Sequence, residues 1–283
     1  MAAQESALVL RFAIALLAFA GLASGGNAQS RDTGLQSLLT GDAARGWEAV
    51  GRLDIDGKGF CTAALISETR ILTAAHCLHD SETGARIDPA RMEFLAGLRN
   101  GRALAYRDIR RAVQHPQYVF TGDADLETVA RDVAILELAQ PIRSTQIVPF
   151  ELGSTPRGGS AVGIVSYALD RAEAPSLQEV CTHLGQQGEV LVMSCDVDFG
   201  SSGAPVFSLA GGAPRIVSLV SAKAEMNDEK VAIGMELGSA VRLIEAELAL
   251  GGGDVAGVTA STIRVIRPGE GRREISGARF VRP

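Results

Sequence analysis

Asp196 to Phe207 reads Asp-Val-Asp-Phe-Gly-Ser-Ser-Gly-Ala-Pro-Val-Phe and sets Ser202 among glycines just ahead of an apolar run. A serine hydroxyl does not ionise unaided near neutral pH. To act as a nucleophile it needs a positioned base and a group that holds that base in one tautomer. Two upstream stretches supply both: Ile71-Leu-Thr-Ala-Ala-His76-Cys77 and Arg131-Asp132-Val-Ala-Ile-Leu-Glu-Leu138. Each is weak alone, because Gly-x-Ser-Gly is a common loop sequence and an aspartate ahead of a strand is commonly a cap. The order His76, Asp132, Ser202, each beside an apolar run, gives the set its weight. Ser201 reads as a loop serine, and His79, His115 and His183 as structural or surface histidines.

The elements that must position these residues are short. Val50 to Ile55, Cys61 to Ser67, Ile71 to Ala74, Met92 to Ala96, Ile109 to Val113 and Val133 to Leu138 are β-leaning runs separated by turn residues. After a proline-bearing link, Ala139 to Arg157, come Ala161 to Tyr167, Glu189 to Cys195, Ala204 to Ser208, Ile216 to Ala222 and Val231 to Leu237. Such spacing predicts an all-β barrel or sandwich. Gly238 to Leu250 carries Val241, Leu243, Ile244, Leu248 and Leu250 at helical spacing and predicts a helix. With 283 residues, 46% hydrophobic and 21% charged, the chain has the composition of a globular protein and not of a disordered or fibrous one.

Phe12 to Leu22 is an apolar run behind Arg11 with small residues following, which predicts a secretory signal over residues 1–28 and an exported, periplasmic or extracellular product. The run is shorter than the roughly 20 residues a spanning helix needs, so no membrane association is expected after signal removal. Residues 29–45 read as an arm or propeptide. Residues 251–283 form an extension with six arginines against Asp254, Glu270 and Glu274, a basic end on a chain of net charge −6. It reads as a docking tail, a hairpin around Arg267 to Gly271, or a solvated extension. Without an aromatic stacking set it does not resemble a nucleic-acid module. The four cysteines, Cys61, Cys77, Cys181 and Cys195, suit an oxidising compartment and allow three connectivities. A zinc site with His79 or His183 lacks Cys-x-x-Cys spacing, and Asp123, Asp125 and Glu127 match no defined calcium loop. No metal or cofactor is expected.

In their order, the three motifs resemble the trypsin-like serine peptidases of chymotrypsin fold. Ala112-Val-Gln-His-Pro-Gln-Tyr118 is similar to the segment ahead of the aspartate motif in that family. The resemblance runs from about Trp47 to Leu250 and is greatest to the bacterial and glutamyl-endopeptidase-like branches, since no Ile-Val-Gly-Gly precedes Trp47 and Ser201 stands where an activation switch needs aspartate. It implies two packed antiparallel β-barrels, residues 46–145 and 146–250, with the helix closing the second. It also implies bridges Cys61–Cys77 and Cys181–Cys195, and a serine endopeptidase acting on protein or peptide through an acyl-enzyme. In that scheme His76 is the base, Asp132 orients it, Ser202 attacks, and the N–H groups of Gly200 and Ser202 form the oxyanion hole.

For specificity, Asp196 falls where arginine- and lysine-cleaving members place a pocket-floor aspartate, or it caps a turn. Val220 replaces the histidine of glutamate-specific members. Ser221-Ala222-Lys223 replaces the usual Ser-aromatic-Gly pocket wall, with Lys223 set to obstruct or repel basic substrates. The alternative is a catalytically silent protein of the same fold that serves as a binding module. Nothing in the sequence sets an oligomeric state.

Overall fold

A computed structural model describes residues 34–257 except Asp228. The expected signal, residues 1–28, and all of the arginine-rich extension beyond 257 lie outside the described residues. The first described strand, β1 (Leu35–Ser37), precedes six that form one closed antiparallel barrel: β2 (Val50–Ile55), β3 (Gly59–Ser67), β4 (Arg70–Thr73), β5 (Met92–Ala96), β6 (Ala105–Gln114) and β7 (Ala134–Leu138). Around this barrel the neighbours run β2, β3, β4, β7, β6, β5 and back to β2.

A two-residue β8 (Glu151–Leu152) leads to the second barrel, made of β9 (Ala161–Ser166), β10 (Ser176–Gln187), β11 (Val190–Met193), β12 (Pro205–Ser208), β13 (Arg215–Met226) and β14 (Glu229–Met235). Its neighbours run β9, β10, β11, β14, β13, β12 and back to β9. Two packed antiparallel β-barrels of chymotrypsin type are therefore present, as expected, with a short helix after the second. Closure removes the unpaired edges that an open sheet would leave.

The strands carry runs of buried apolar residues, and their inward side chains fill each barrel. Leu53, Leu65, Ile71, Phe94, Ile109 and Leu136 are fully buried in the first; Val162, Ile164, Leu191, Val206 and Val217 in the second. Burying each such side chain stabilises by about 1.5–3 kcal/mol. Between the barrels Phe207 meets Trp47 at 5.0 Å and Phe150 at 4.7 Å between ring centroids. Tyr167, also fully buried, donates its hydroxyl to Leu98 O at 2.9 Å. This aromatic seam fixes the relation of the two barrels.

α1 (Leu126–Ala130) lies just before β7, and α2 (Gly238–Ala249) follows β14. The second buries Ala240, Val241, Ile244 and Leu248 against β6 and β7, three of them from the predicted stripe, while Leu243 and Leu250 of that stripe are exposed. Both ends of the described chain add strands. β1 pairs antiparallel with β10, and the next residue, Leu38, is buried, so this part of the expected arm is built into the second barrel's sheet. After α2, β15 (Asp254–Val255) pairs with β6 of the first barrel, and Arg86 holds Asp254 in an ion pair.

Two differences from the sequence reading stand out. The strand β10 is absent from the predicted runs, because its exposed Glu179, Val180 and Leu184 break the alternation that marks a half-buried strand. The strand β13 extends to Met226, past the predicted Ala222.

Candidate active site

The residues singled out by type converge where the barrels meet. His76 sits in a 3₁₀ turn, Ala75–Leu78, that leaves the end of β4. Ala75, Cys77 and Leu78 are buried, so the turn is fastened on three sides and presents only His76. Cys77 is bonded to Cys61 on β3, and Cys181 to Cys195, both pairings as the resemblance implied. The ligand atoms of Cys61, His76 and Cys77 lie within 4.8 Å of one another, but the disulfide leaves no thiolate to bind a metal.

Asp132 lies between α1, whose first turn is capped by Asp125, and β7. Its side chain is 3% exposed and is satisfied by three donors. His76 N donates to Oδ1 at 2.8 Å and His76 Nδ1 to Oδ2 at 2.7 Å, while Ser221 Oγ donates to Oδ2 at 2.5 Å. An ionised carboxylate only accepts, so Nδ1 carries the hydrogen and the neutral imidazole keeps its lone pair on Nε2. Burial lowers the His76 pKa, but the charge of Asp132 and the hydrogen bond to it outweigh that penalty, and the net shift is upward from 6.5.

Ser202 is held by backbone. Its carbonyl accepts from Thr62 N at 2.8 Å, Gly203 N donates to Val220 O at 2.7 Å, and Ser201 N donates to Asp198 O at 2.9 Å. Thr62, on β3 and fully buried, also donates its hydroxyl to Gly200 O at 2.9 Å and accepts there from Tyr167 N at 3.0 Å. One threonine of the first barrel thus grips the Ser202 loop of the second at two points. Gly203 has φ +74, and a Cβ there would fall 2.2 Å from Thr73 Oγ1 and 2.5 Å from Thr62 O. Gly200 has φ +95 and lies against the ring of Phe60. Ser201, fully buried, turns its hydroxyl to Tyr167 O.

Among the described residues neither Gly200 N–H nor Ser202 N–H donates to a protein acceptor. The peptide ahead of Gly200 has a fixed orientation, because Phe199 O accepts from Leu169 N at 2.9 Å. In a trans peptide the N–H points opposite to the C=O, so this anchor directs Gly200 N–H away from Leu169 N. A cleft of about 630 Å³ is bordered by His76, Ser202, Gly200, Phe60, Phe120 and Leu169. No hydrogen bond joins Ser202 Oγ to His76 in this structure; such bonds are commonly long before substrate binds and tighten in the complex.

A smaller pocket of about 120 Å³ adjoins Ser202 and is walled by Val197, Val220, Ser221 and Ala222. Lys223, Asp198 and Phe199 line it as well, with Lys223 Nζ 2.7 Å from Asp198 Oδ1 and 4.0 Å from the ring centroid of Phe199. Asp196, the expected pocket-floor residue, does not line it; its carboxylate is 3.9 Å from Lys230 and its N–H donates to Gln178. Val220, Ser221 and Lys223 do line it, and Ser221 also bonds Asp132.

Of the other histidines, His79 borders the same cleft as His76, with its ring nitrogens bonded to Gly84 O and Gln114 Oε1. His79 stacks on Phe120, while His115 and His183 are buried. Asp125 caps α1 and Glu127 pairs with Arg131, which leaves these acids engaged in the loop. Sequence reasoning missed Thr62, Leu169 and Asp198. Only Thr62 carried a signal, as a hydroxyl between Cys61 and an otherwise apolar strand.

A family model described as a trypsin-like peptidase domain matches residues 57–213, more than half of the chain. The chain is 28% identical over 218 residues to serine protease 23 of Mus musculus, covering 64% of this chain and 56% of that protein. It is 34% identical over 90 residues to trypsin of Phaedon cochleariae, covering 31% of each. It is 29% identical over 125 residues to mannan-binding lectin serine protease 1 of Homo sapiens, covering 40% of this chain and 17% of that protein. The chain thus spans little more than half the length of these relatives at most. A solved structure of Glu endopeptidase in complex with MPD superposes with a TM-score of 0.64 at 16% identity, over 77% of this chain and 98% of that one, which is a likeness of fold.

Proposed function

The chain belongs to the trypsin-like peptidase family, and on that premise we propose that it is an exported serine endopeptidase with Ser202 as nucleophile, His76 as general base and Asp132 as the residue that orients the base. The observation that carries the proposal is the 2.7 Å hydrogen bond from His76 Nδ1 to a buried Asp132, on a turn that borders the same cleft as Ser202.

The steps follow from the groups present. Ser202 Oγ attacks the peptide carbonyl carbon while its proton passes to His76 Nε2, and Asp132 stabilises the imidazolium. The carbonyl oxygen, now an anion, is held by the N–H groups of Gly200 and Ser202, each donor contributing about 3 kcal/mol to the transition state. His76 then gives its proton to the departing amine, leaving an ester on Ser202. Water hydrolyses that ester with His76 again as base, which restores the serine hydroxyl. Thr62 and Leu169 act as positioning residues, since they fix the loop and the peptide that carry these donors.

Two disulfides support an oxidising, extracytoplasmic setting. Among the described residues no helix is long and apolar enough to cross a membrane. The substrate class is protein or peptide.

The test is covalent labelling of the exported full chain with a fluorophosphonate probe. Wild type is expected to label and Ser202→Ala not to. A folded, disulfide-intact wild type that stays unlabelled would sink the protease reading and leave a binding module of the same fold.

A further inference from the structure

We propose that the Lys223–Asp198 ion pair, laid over Phe199, closes the mouth of the small pocket beside Ser202 and so selects short aliphatic side chains, alanine or valine, at the residue whose carbonyl is attacked. The proposal rests on the serine endopeptidase reading and names its substrate class. Three observations carry it.

The first is size. The pocket measures about 120 Å³, less than the roughly 150 Å³ of an apolar cavity that holds benzene. The volume matches a short side chain better than an aromatic one.

The second is chemistry. Val197, Val220 and Ala222 give the walls an apolar surface, and the valines are packed into the second barrel's core. A short branched or methyl side chain is matched by such walls, whereas a carboxylate or guanidinium loses its hydration there without a partner.

The third is charge. Lys223 comes from β13 and Asp198 from the loop before the nucleophile, and their contact at 2.7 Å joins two of the residues that line the pocket. Phe199 N also donates to Asp198 Oδ1 at 2.8 Å, so the acid is anchored by its own loop. The two charges cancel. An acidic substrate side chain has to displace Asp198 from Lys223, and a basic one has to displace Lys223 from Asp198. The hydrogen bond from Lys223 lowers the Asp198 pKa, which favours the carboxylate form of that acid. Asp196, turned toward Lys230, offers no second acid to a basic guest.

Both partners are about half exposed, and exposed ion pairs contribute little to folding. Variants that open the pair are therefore expected to fold.

The experiment compares wild type, Lys223→Gly and Asp198→Asn. Fluorophosphonate labelling first reads the activated serine, independently of the pocket. Peptidyl-coumarin substrates varied only at the cleaved residue then read the pocket through kcat/KM. Wild type is expected to favour Ala and Val over Phe, Glu and Arg by tenfold or more. Lys223→Gly should raise Leu and Phe at least tenfold relative to Ala. Asp198→Asn, which leaves Lys223 with an unpaired charge, should raise Glu relative to Ala. A labelled wild type that prefers Phe, Glu or Arg overturns the proposal, as do labelled variants with unchanged ratios. A wild type that does not label removes the protease reading and this proposal with it.

Discussion

The two barrels contribute to the candidate site by different means. The first supplies side chains. His76 and Asp132 stand at the ends of β4 and β7 and are tied to each other by two hydrogen bonds, one from the imidazole and one from the His76 backbone N–H. The second supplies backbone. Ser202, and the N–H groups of Gly200 and Ser202, lie in a loop whose shape depends on two glycines at positive φ and on Thr62 reaching over from the first barrel. The contrast teaches that a titrating pair tolerates being built from regular elements, whereas a set of aimed amides requires a backbone that regular elements do not offer.

The sharpest way to break this comparison is in the first barrel. Asp132→Asn keeps the size of the side chain but allows the imidazole the wrong tautomer, and kcat is expected to fall by on the order of 10⁴-fold with little change in fold. A loss under tenfold in steady-state peptide hydrolysis would show that the tie to His76 is not what the site depends on.

Next is Gly203→Ala in the second barrel. The new Cβ meets Thr73 Oγ1 and Thr62 O, and φ +74 is strained for alanine. A stability loss of about 3 kcal/mol is expected from urea midpoints. Wild-type stability would mean that the loop shape does not need glycine.

The smallest effect is in pH. Only the first barrel's half titrates, because amide N–H groups do not. His76 must be neutral to accept a proton, and its pKa lies above 6.5. Labelling by fluorophosphonate should therefore fall about tenfold per pH unit below that raised value, with a single-proton slope. The same shift makes the His76–Asp132 contribution to stability fully present below the unfolded pKa of about 6.5, and lost as pH rises through the folded value. A second proton in the acid limb would point to a titrating group in the other half.

The same division explains what was legible in the sequence. His76, Asp132 and Ser202 could be singled out because chemistry restricts the residue types a proposed triad uses, and α2 because its buried residues recur at helical spacing. Thr62 acts on Gly200 across 138 residues of chain, and Leu169 acts through its backbone N–H, which any residue but proline carries. The first role needs a hydroxyl but leaves no sign of its distant partner, and the second leaves no mark on residue type. Asp196 and Asp198 mark the same limit at short range. They stand two apart in one loop, yet one faces Lys230 and the other Lys223. Only the fold decides which of the two stands at the pocket. The strand β10 escaped notice because part of it presents apolar side chains to solvent.

The terminal strands carry a consequence for how the protein is made. β1 comes from the start of the described chain and is fastened to the second barrel, while β15 comes from its end and is fastened to the first. Each pairing joins residues about 140 apart in sequence, so both are late, slow contacts. The chain is laced crosswise. During synthesis β1 emerges with nothing to pair with, and the first barrel waits for its last strand until the second has been completed. The halves of the candidate site are therefore not two modules placed side by side, and cutting the chain between the barrels would leave each half without a strand that the other carries.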